Sequence, residues 1–200
     1  MSHRSKQLAR MRIKKDMEEL SHSRLVASHA STYIIFPRES FIDDHNVHFN
    51  VSVTIDAQHS GPYANSISRF KVVIPSSYPF HAPNIIALTR MWHPNVQLSS
   101  GLVSFPLLNR DWRPVLTLNS VLLALQLVLL EPNTVNAINP IASQEWLTNA
   151  SEFITTCQSI LNGGFYYGET FENARPTTTV GSKRDRSDNS SNNVSIKRKC

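Results

Sequence analysis

Val47, Phe49, Val51, Val53 and Ile55 alternate with His48, Asn50, Ser52 and Thr54. A period of two held over nine residues describes a strand with one face in a core and the other in water. This constrains the chain more than any other feature, because a half-wet strand belongs to an antiparallel sheet covered on one side. The flanking segments fit that sheet. Tyr33–Phe36 is a short β-prone run ended by Pro37, and Gly61-Pro62-Tyr63 is a turn. A strand around Ile67–Ile74 stops at Pro75, and the connection Tyr78-Pro79-Phe80-His81-Ala82-Pro83 leads to a fourth near Ile85–Leu88. Short connections throughout predict a four-stranded antiparallel meander.

Helices bracket the meander. Lys6–Leu20 places Ile13, Met17 and Leu20 at i, i+4 and i+7, with Leu8 near the same stripe and Lys14, Lys15, Glu18 and Glu19 on the wet side. Val121–Leu130 is apolar almost all round, which predicts a buried helix introduced by Asn119-Ser120 and closed by Pro132. A single helix is predicted over Ile141–Leu161, where Phe153, Cys157 and Ile160 share a stripe before Asn162-Gly163-Gly164 stops it. Strands followed by helices give an α+β domain. Between Met91 and Val115 no period is sustained, and so long an irregular segment inside a compact domain is usually functional.

The chain divides in composition near its end. Of the 25 residues from Pro176 to Cys200, 11 are Ser, Thr or Asn. Residues 1–173 are therefore assigned to the folded domain and 174–200 to a basic, Ser/Thr/Asn-rich tail whose composition predicts disorder. Charge follows the same division. Residues 1–175 hold 14 Lys/Arg against 13 Asp/Glu, whereas 176–200 hold 6 against 2. The basic balance belongs to the tail and gives no ground for a specific nucleic-acid partner. Val121–Leu130, the longest apolar run and interrupted by Gln126, is too short to span a bilayer, so no membrane association is expected. Cys157 and Cys200 are the only cysteines, which excludes a disulfide scaffold and a multi-cysteine zinc site. No metal or cofactor is expected.

Several short motifs fall in a telling order: Tyr78-Pro79-Phe80 with Pro83, His93-Pro94-Asn95, Trp112-Arg113-Pro114 with Thr117, Leu130-Glu131-Pro132-Asn133, then Asn139 and Ala142. In this order and spacing they resemble the ubiquitin-conjugating enzyme family, over roughly residues 9–171. Within it the similarity is greatest to the neddylation conjugating enzymes, on Leu130–Asn133, Arg110-Asp111-Trp112 and Gly163-Gly164-Phe165. The resemblance implies the family's fold, a helix, a meander sheet and C-terminal helices. It also implies ubiquitin or a ubiquitin-like modifier as partner, together with an activating enzyme, a conjugating enzyme or a RING-type ligase. Ligases of the family grip the first helix, the Tyr-Pro-Phe connection and the Trp-x-Pro segment, which correspond here to Lys14, Lys15, Phe80, Pro114 and Val115. Phe80 could instead pack inward.

The chain departs from the family at the nucleophile. Counted back from Trp112, Val103-Ser104-Phe105-Pro106 stands where the family has Val-Cys-Leu-Asn, so Ser104 occupies the position of the thioester-forming cysteine. No cysteine precedes residue 157. A thiol is a few per cent thiolate at neutral pH and attacks without a dedicated base, whereas a serine hydroxyl needs an adjacent, oriented general base. His93 is the nearby imidazole, and the resemblance gives it a turn-shaping role. Asn95 matches an asparagine that stabilises the oxyanion or the loop in active relatives, and a bond to loop backbone is its plainer role. Cys157 lies on a helical apolar stripe and reads as core.

A binding module without catalysis is the expectation, and the alternative is an active neddylation-type transferase with a replaced nucleophile. Lys183-Arg184 and Lys197-Arg198-Lys199 resemble a bipartite nuclear-import signal, giving nucleus and cytoplasm as the expected location; a solubilising basic tail is the other reading.

Overall fold

The computed structural model describes residues 3–35 and 46–176. Helix α1 (His3–His22) buries Ala9, Ile13, Asp16 and Leu20. Leu8 is 60% exposed, contrary to its expected place in the stripe. It lies five positions before Ile13, which at 100° per residue turns it well away from the buried face, and Ala9 takes the position instead.

The sheet has six strands rather than four, in sequential order: β1 (Val26–Ala27), β2 (Ala30–Ile35), β3 (Asn46–Ile55), β4 (Ser66–Pro75), β5 (Asn84–Ala87) and β6 (Leu102–Val103). All neighbours are antiparallel. The added strands are two residues each, too short to show alternation. Phe36 and Pro37, which end the run predicted from Tyr33, lie outside the described residues. Register sets the wet face. Val51 pairs with Phe70 and both are fully buried, while Tyr33 pairs with Ser52 and is 73% exposed.

Helix α2 (Leu118–Leu130) lies on the inner face, and Thr117 caps it by accepting from Ser120 N–H. Leu118, Val121, Leu122, Leu125 and Leu129 are buried, but Leu123 and Leu127 are exposed, so α2 is not buried all round. A helix laid across a sheet has one face with nothing above it, and residues i and i+4 fall there. Buried Gln126 is satisfied in part by donating to Leu25 O and Thr32 Oγ1.

The predicted helix over 141–161 is two helices, α3 (Pro140–Thr148) and α4 (Ala150–Ile160). Asn149 divides them. Its non-helical backbone ends α3, and its side chain accepts from Glu152 N–H to cap α4. Asn competes for backbone bonds in this way, which is why it favours helix ends. A hairpin of β7 (Gly164–Tyr166) and β8 (Glu169–Phe171) follows, turning on Tyr167 and Gly168, both at positive φ. The last described contacts involve Ala174, which bonds Ile67 N–H and Leu161 O, and Arg175, whose guanidinium donates to Ala64 O and to Gln158. Lys183, Arg184, Lys197, Arg198 and Lys199 lie outside the described residues.

Candidate functional site

The irregular segment 91–115 is held by three polar anchors. Asn95 is buried, and its Nδ2 donates to Ser104 O at 3.0 Å while its Oδ1 accepts from Asn133 N–H at 2.9 Å. Its backbone carbonyl accepts from Ser104 N–H at 2.8 Å. One residue thus ties the His-Pro-Asn turn to the Ser104 strand end and to the loop after α2. This is the plainer of the two roles open to Asn95.

Ser104 is half-buried, where the chain leaves β6 for a short 3-10 turn, Pro106–Leu108. Its Oγ accepts from Asn109 Nδ2 at 3.0 Å, an amide that also donates to Phe105 O. An amide hydrogen occupies a hydroxyl lone pair and removes no proton, so this contact does not activate the oxygen. Among the described residues no imidazole or carboxylate is hydrogen-bonded to Ser104 Oγ. Pro106 opens the turn, where an N–H would have no partner within it.

His93 does not supply the missing base. It is fully buried, and its Nδ1 accepts from Asn95 N–H at 2.8 Å. That assigns the proton to Nε2, which donates to Val128 O at 3.2 Å. Burial lowers its pKa to about 3, against the lesser opposing pull of the Val128 carbonyl. The ring stacks on Tyr63 and both nitrogens are committed, so it shapes the turn.

Cys157 is likewise structural. It is 2% exposed, with Sγ 3.6 Å from Trp92 O. Burial pushes its thiol up to about 12.

The predicted partner residues form a second region. Phe80 is 72% exposed and Val115 78%, so Phe80 faces outward; Pro114, Lys14 and Lys15 are exposed as well. Trp112 Nε1 donates to Pro79 O at 2.8 Å, fixing the Tyr78-Pro79-Phe80 connection beside the Trp112–Val115 loop. A network that the sequence reading missed joins both to α1. Asp16, 1% exposed, pairs with Arg12 and accepts from Tyr78 OH and Leu118 N–H. Arg12 in turn donates to Pro114 O and Leu116 O at 2.9 and 2.7 Å. An acidic residue on the apolar side of a helix was the available signal, since a buried carboxylate requires partners.

A model described as ubiquitin-conjugating enzyme matches residues 12–161. The chain belongs to that family. Among its relatives, the NEDD8-conjugating enzyme UBC12 of Yarrowia lipolytica is 32% identical over 164 residues, covering 82% of this chain and 84% of that one. The Nedd8-conjugating enzyme UbcE2M of Drosophila melanogaster is 32% identical over 163 residues, 82% of each chain. Among solved structures, S. cerevisiae Ubc12 superposes with a TM-score of 0.70 at 25% identity, over 84% of this chain and 87% of that one. The α+β architecture is thus that of the ubiquitin-conjugating fold, and the six-stranded sheet replaces the predicted four.

Proposed function

We propose that this conjugating-enzyme-family protein is a non-catalytic member of the ubiquitin-like conjugation pathway, of the NEDD8 type named for its relatives. It binds a modifier, a conjugating enzyme or a ligase without carrying the modifier itself. One observation carries the reading: the hydroxyl of Ser104, at the expected nucleophile position, accepts from an amide and, among the described residues, is hydrogen-bonded to no base. The outward Phe80 and Val115 beside Lys14 and Lys15 supply the surface for a ligase, an exposed aromatic next to a fixed proline loop being a suitable anchor. With the basic clusters at 183–184 and 197–199 read as an import signal, the protein resides in nucleus and cytoplasm.

The test is incubation with ATP, the activating enzyme and each modifier in turn, followed by gels with and without reductant. No adduct is expected. A reductant-stable, hydroxide-sensitive adduct lost in Ser104→Ala would establish an oxyester and the active reading. A reductant-sensitive one would place the modifier on a cysteine and equally overturn the proposal.

A further inference from the structure

Asn162-Gly163 is the one Asn-Gly pair in the chain. Such a pair is chemically labile. The glycine amide nitrogen, with no Cβ beside it, can attack the carbonyl carbon of the asparagine side chain, closing a cyclic imide and expelling ammonia. Water then opens the imide on one side or the other. Aspartate results from one opening and isoaspartate, with an extra backbone carbon, from the other. The fold has reasons to keep both residues. Gly163 follows α4 at φ +86°, and a Cβ there would meet Asn173 N and Phe171 O at 3.3 Å. Asn162 is exposed, and its side-chain oxygen accepts from a guanidinium.

That guanidinium belongs to Arg175, and each of its five N–H groups has an acceptor. Nε donates to Asn162 Oδ1 at 3.1 Å, Nη1 to Ala64 O and Asn65 O, and Nη2 to Gln158 O and Gln158 Oε1. No carboxylate pairs with Arg175 among the described residues. Ala174 seats the same strap through Ile67 N–H and Leu161 O. The clamp restrains the electrophile. Asn162 Oδ1 faces Arg175, while its Nδ2 donates at 3.3 Å to Gln158 O, four residues back on α4. An amide pinned against the preceding turn is drawn away from the residue that follows it. The nucleophile is restrained too, since Gly163 N–H donates to Ile160 O at 2.8 Å.

We propose that Asn162 is a site of one-way deamidation guarded by Arg175. While the strap is seated, its bonds hold the reacting groups apart; its release lets Gly163 N close on Asn162 Cγ. The change is retained afterwards. An aspartate at 162 sets a carboxylate against a guanidinium that otherwise binds only neutral oxygens, and an isoaspartate lengthens the chain between α4 and β7. The site therefore records any event that lifts the strap at 174–175. The proposal is independent of whether Ser104 accepts a modifier.

The test ages the full chain at pH 8 and follows residue 162 by peptide mass spectrometry, with aspartate and isoaspartate separated by chromatography. Wild type is compared with Arg175→Gln, with Arg175→Lys and with Gly101→Ala, a variant strained at a site remote in sequence from the clamp. The urea-unfolded chain gives the unguarded rate. Arg175→Gln should raise the rate at Asn162 by about tenfold, which corresponds to about 1.4 kcal/mol lost from the clamp. Arg175→Lys should be accelerated as well, because an ammonium does not reproduce the planar fork. Gly101→Ala should stay near the wild-type rate. Equal rates in wild type and Arg175→Gln would overturn the proposal. So would equal acceleration in Gly101→Ala, since global unfolding would then set the rate, and so would a wild-type rate matching that of the unfolded chain.

Discussion

Protonating His93 should unlock the Ser104 segment, and the size of the effect follows from the ring's bonds. Neutral His93 satisfies two backbone groups, accepting from Asn95 N–H and donating to Val128 O. A second proton on Nδ1 would set two donors against each other and add a charge to a fully buried site. The folded pKa of about 3 lies below the unfolded value of about 6.5, so the unfolded state takes up the proton first. The full contribution is therefore present above pH 6.5 and is lost as pH falls from 6.5 toward 3. pH 5 lies about 1.5 units below the unfolded pKa, so about 2 kcal/mol of that contribution is gone there. Urea unfolding of wild type and His93→Gln at half-unit steps from pH 7.5 to 4 isolates the term, because shared carboxylate titration cancels in the difference. Gln leaves Asn95 N–H without its acceptor, so the variant should be less stable at neutral pH by about 1–3 kcal/mol, with the gap narrowing below pH 6.5. Parallel profiles would show that the fold does not hold His93 neutral and would refute the structural role given to the ring.

Three further outcomes test the surroundings. Gly101 sits at φ +73° and a Cβ there would approach Ala87 O to 2.4 Å, so Gly101→Ala should destabilise by about 2 kcal/mol or more in urea and perturb amides of β5 and β6. Asp16→Asn should cost about 3 kcal/mol, because it removes the carboxylate that Arg12, Tyr78 OH and Leu118 N–H share, and should weaken capture by a RING-type ligase along with stability. Iodoacetamide at pH 8 should modify Cys200 alone in the native protein and Cys157 only after denaturation, as read by peptide mass spectrometry.

What the sequence made legible was what local pattern controls. The alternation at 47–55 forced a one-sided antiparallel sheet, and the stripe Phe153, Cys157, Ile160 is the buried face of α4. The errors share a cause. Two-residue strands carry no period, and the break at Asn149 is a capping event inside a run whose apolar spacing continues across it. Tyr167 gave no turn signal because tyrosine seldom adopts positive φ; stacking on Trp92 at 3.7 Å and the bond to Glu145 hold it there. The exposed side of α2 was hidden because leucine at 123 and 127 looks the same whether covered or bare. Long-range partners were invisible altogether: His93 is locked by a carbonyl 35 residues away, and Asp16 by Tyr78, 62 residues on.

The site separates shape from reactivity. Asn95 holds Ser104 through backbone carbonyl and amide groups, which any residue at 104 would present. The grip of Asn133 on Asn95 and the lock on His93 also make no use of the side chain at 104. Exchanging sulfur for oxygen there removes nucleophilicity while leaving the loop's supports in place. The Arg12–Asp16–Tyr78 network is likewise built from atoms remote from Ser104 Oγ, and it fixes the loop that carries Pro114 and Val115. The outward Phe80 and Val115 surface is therefore supported independently of the side chain at 104. That independence is the physical ground for the proposed reading, in which the family scaffold binds partners without carrying a modifier on Ser104.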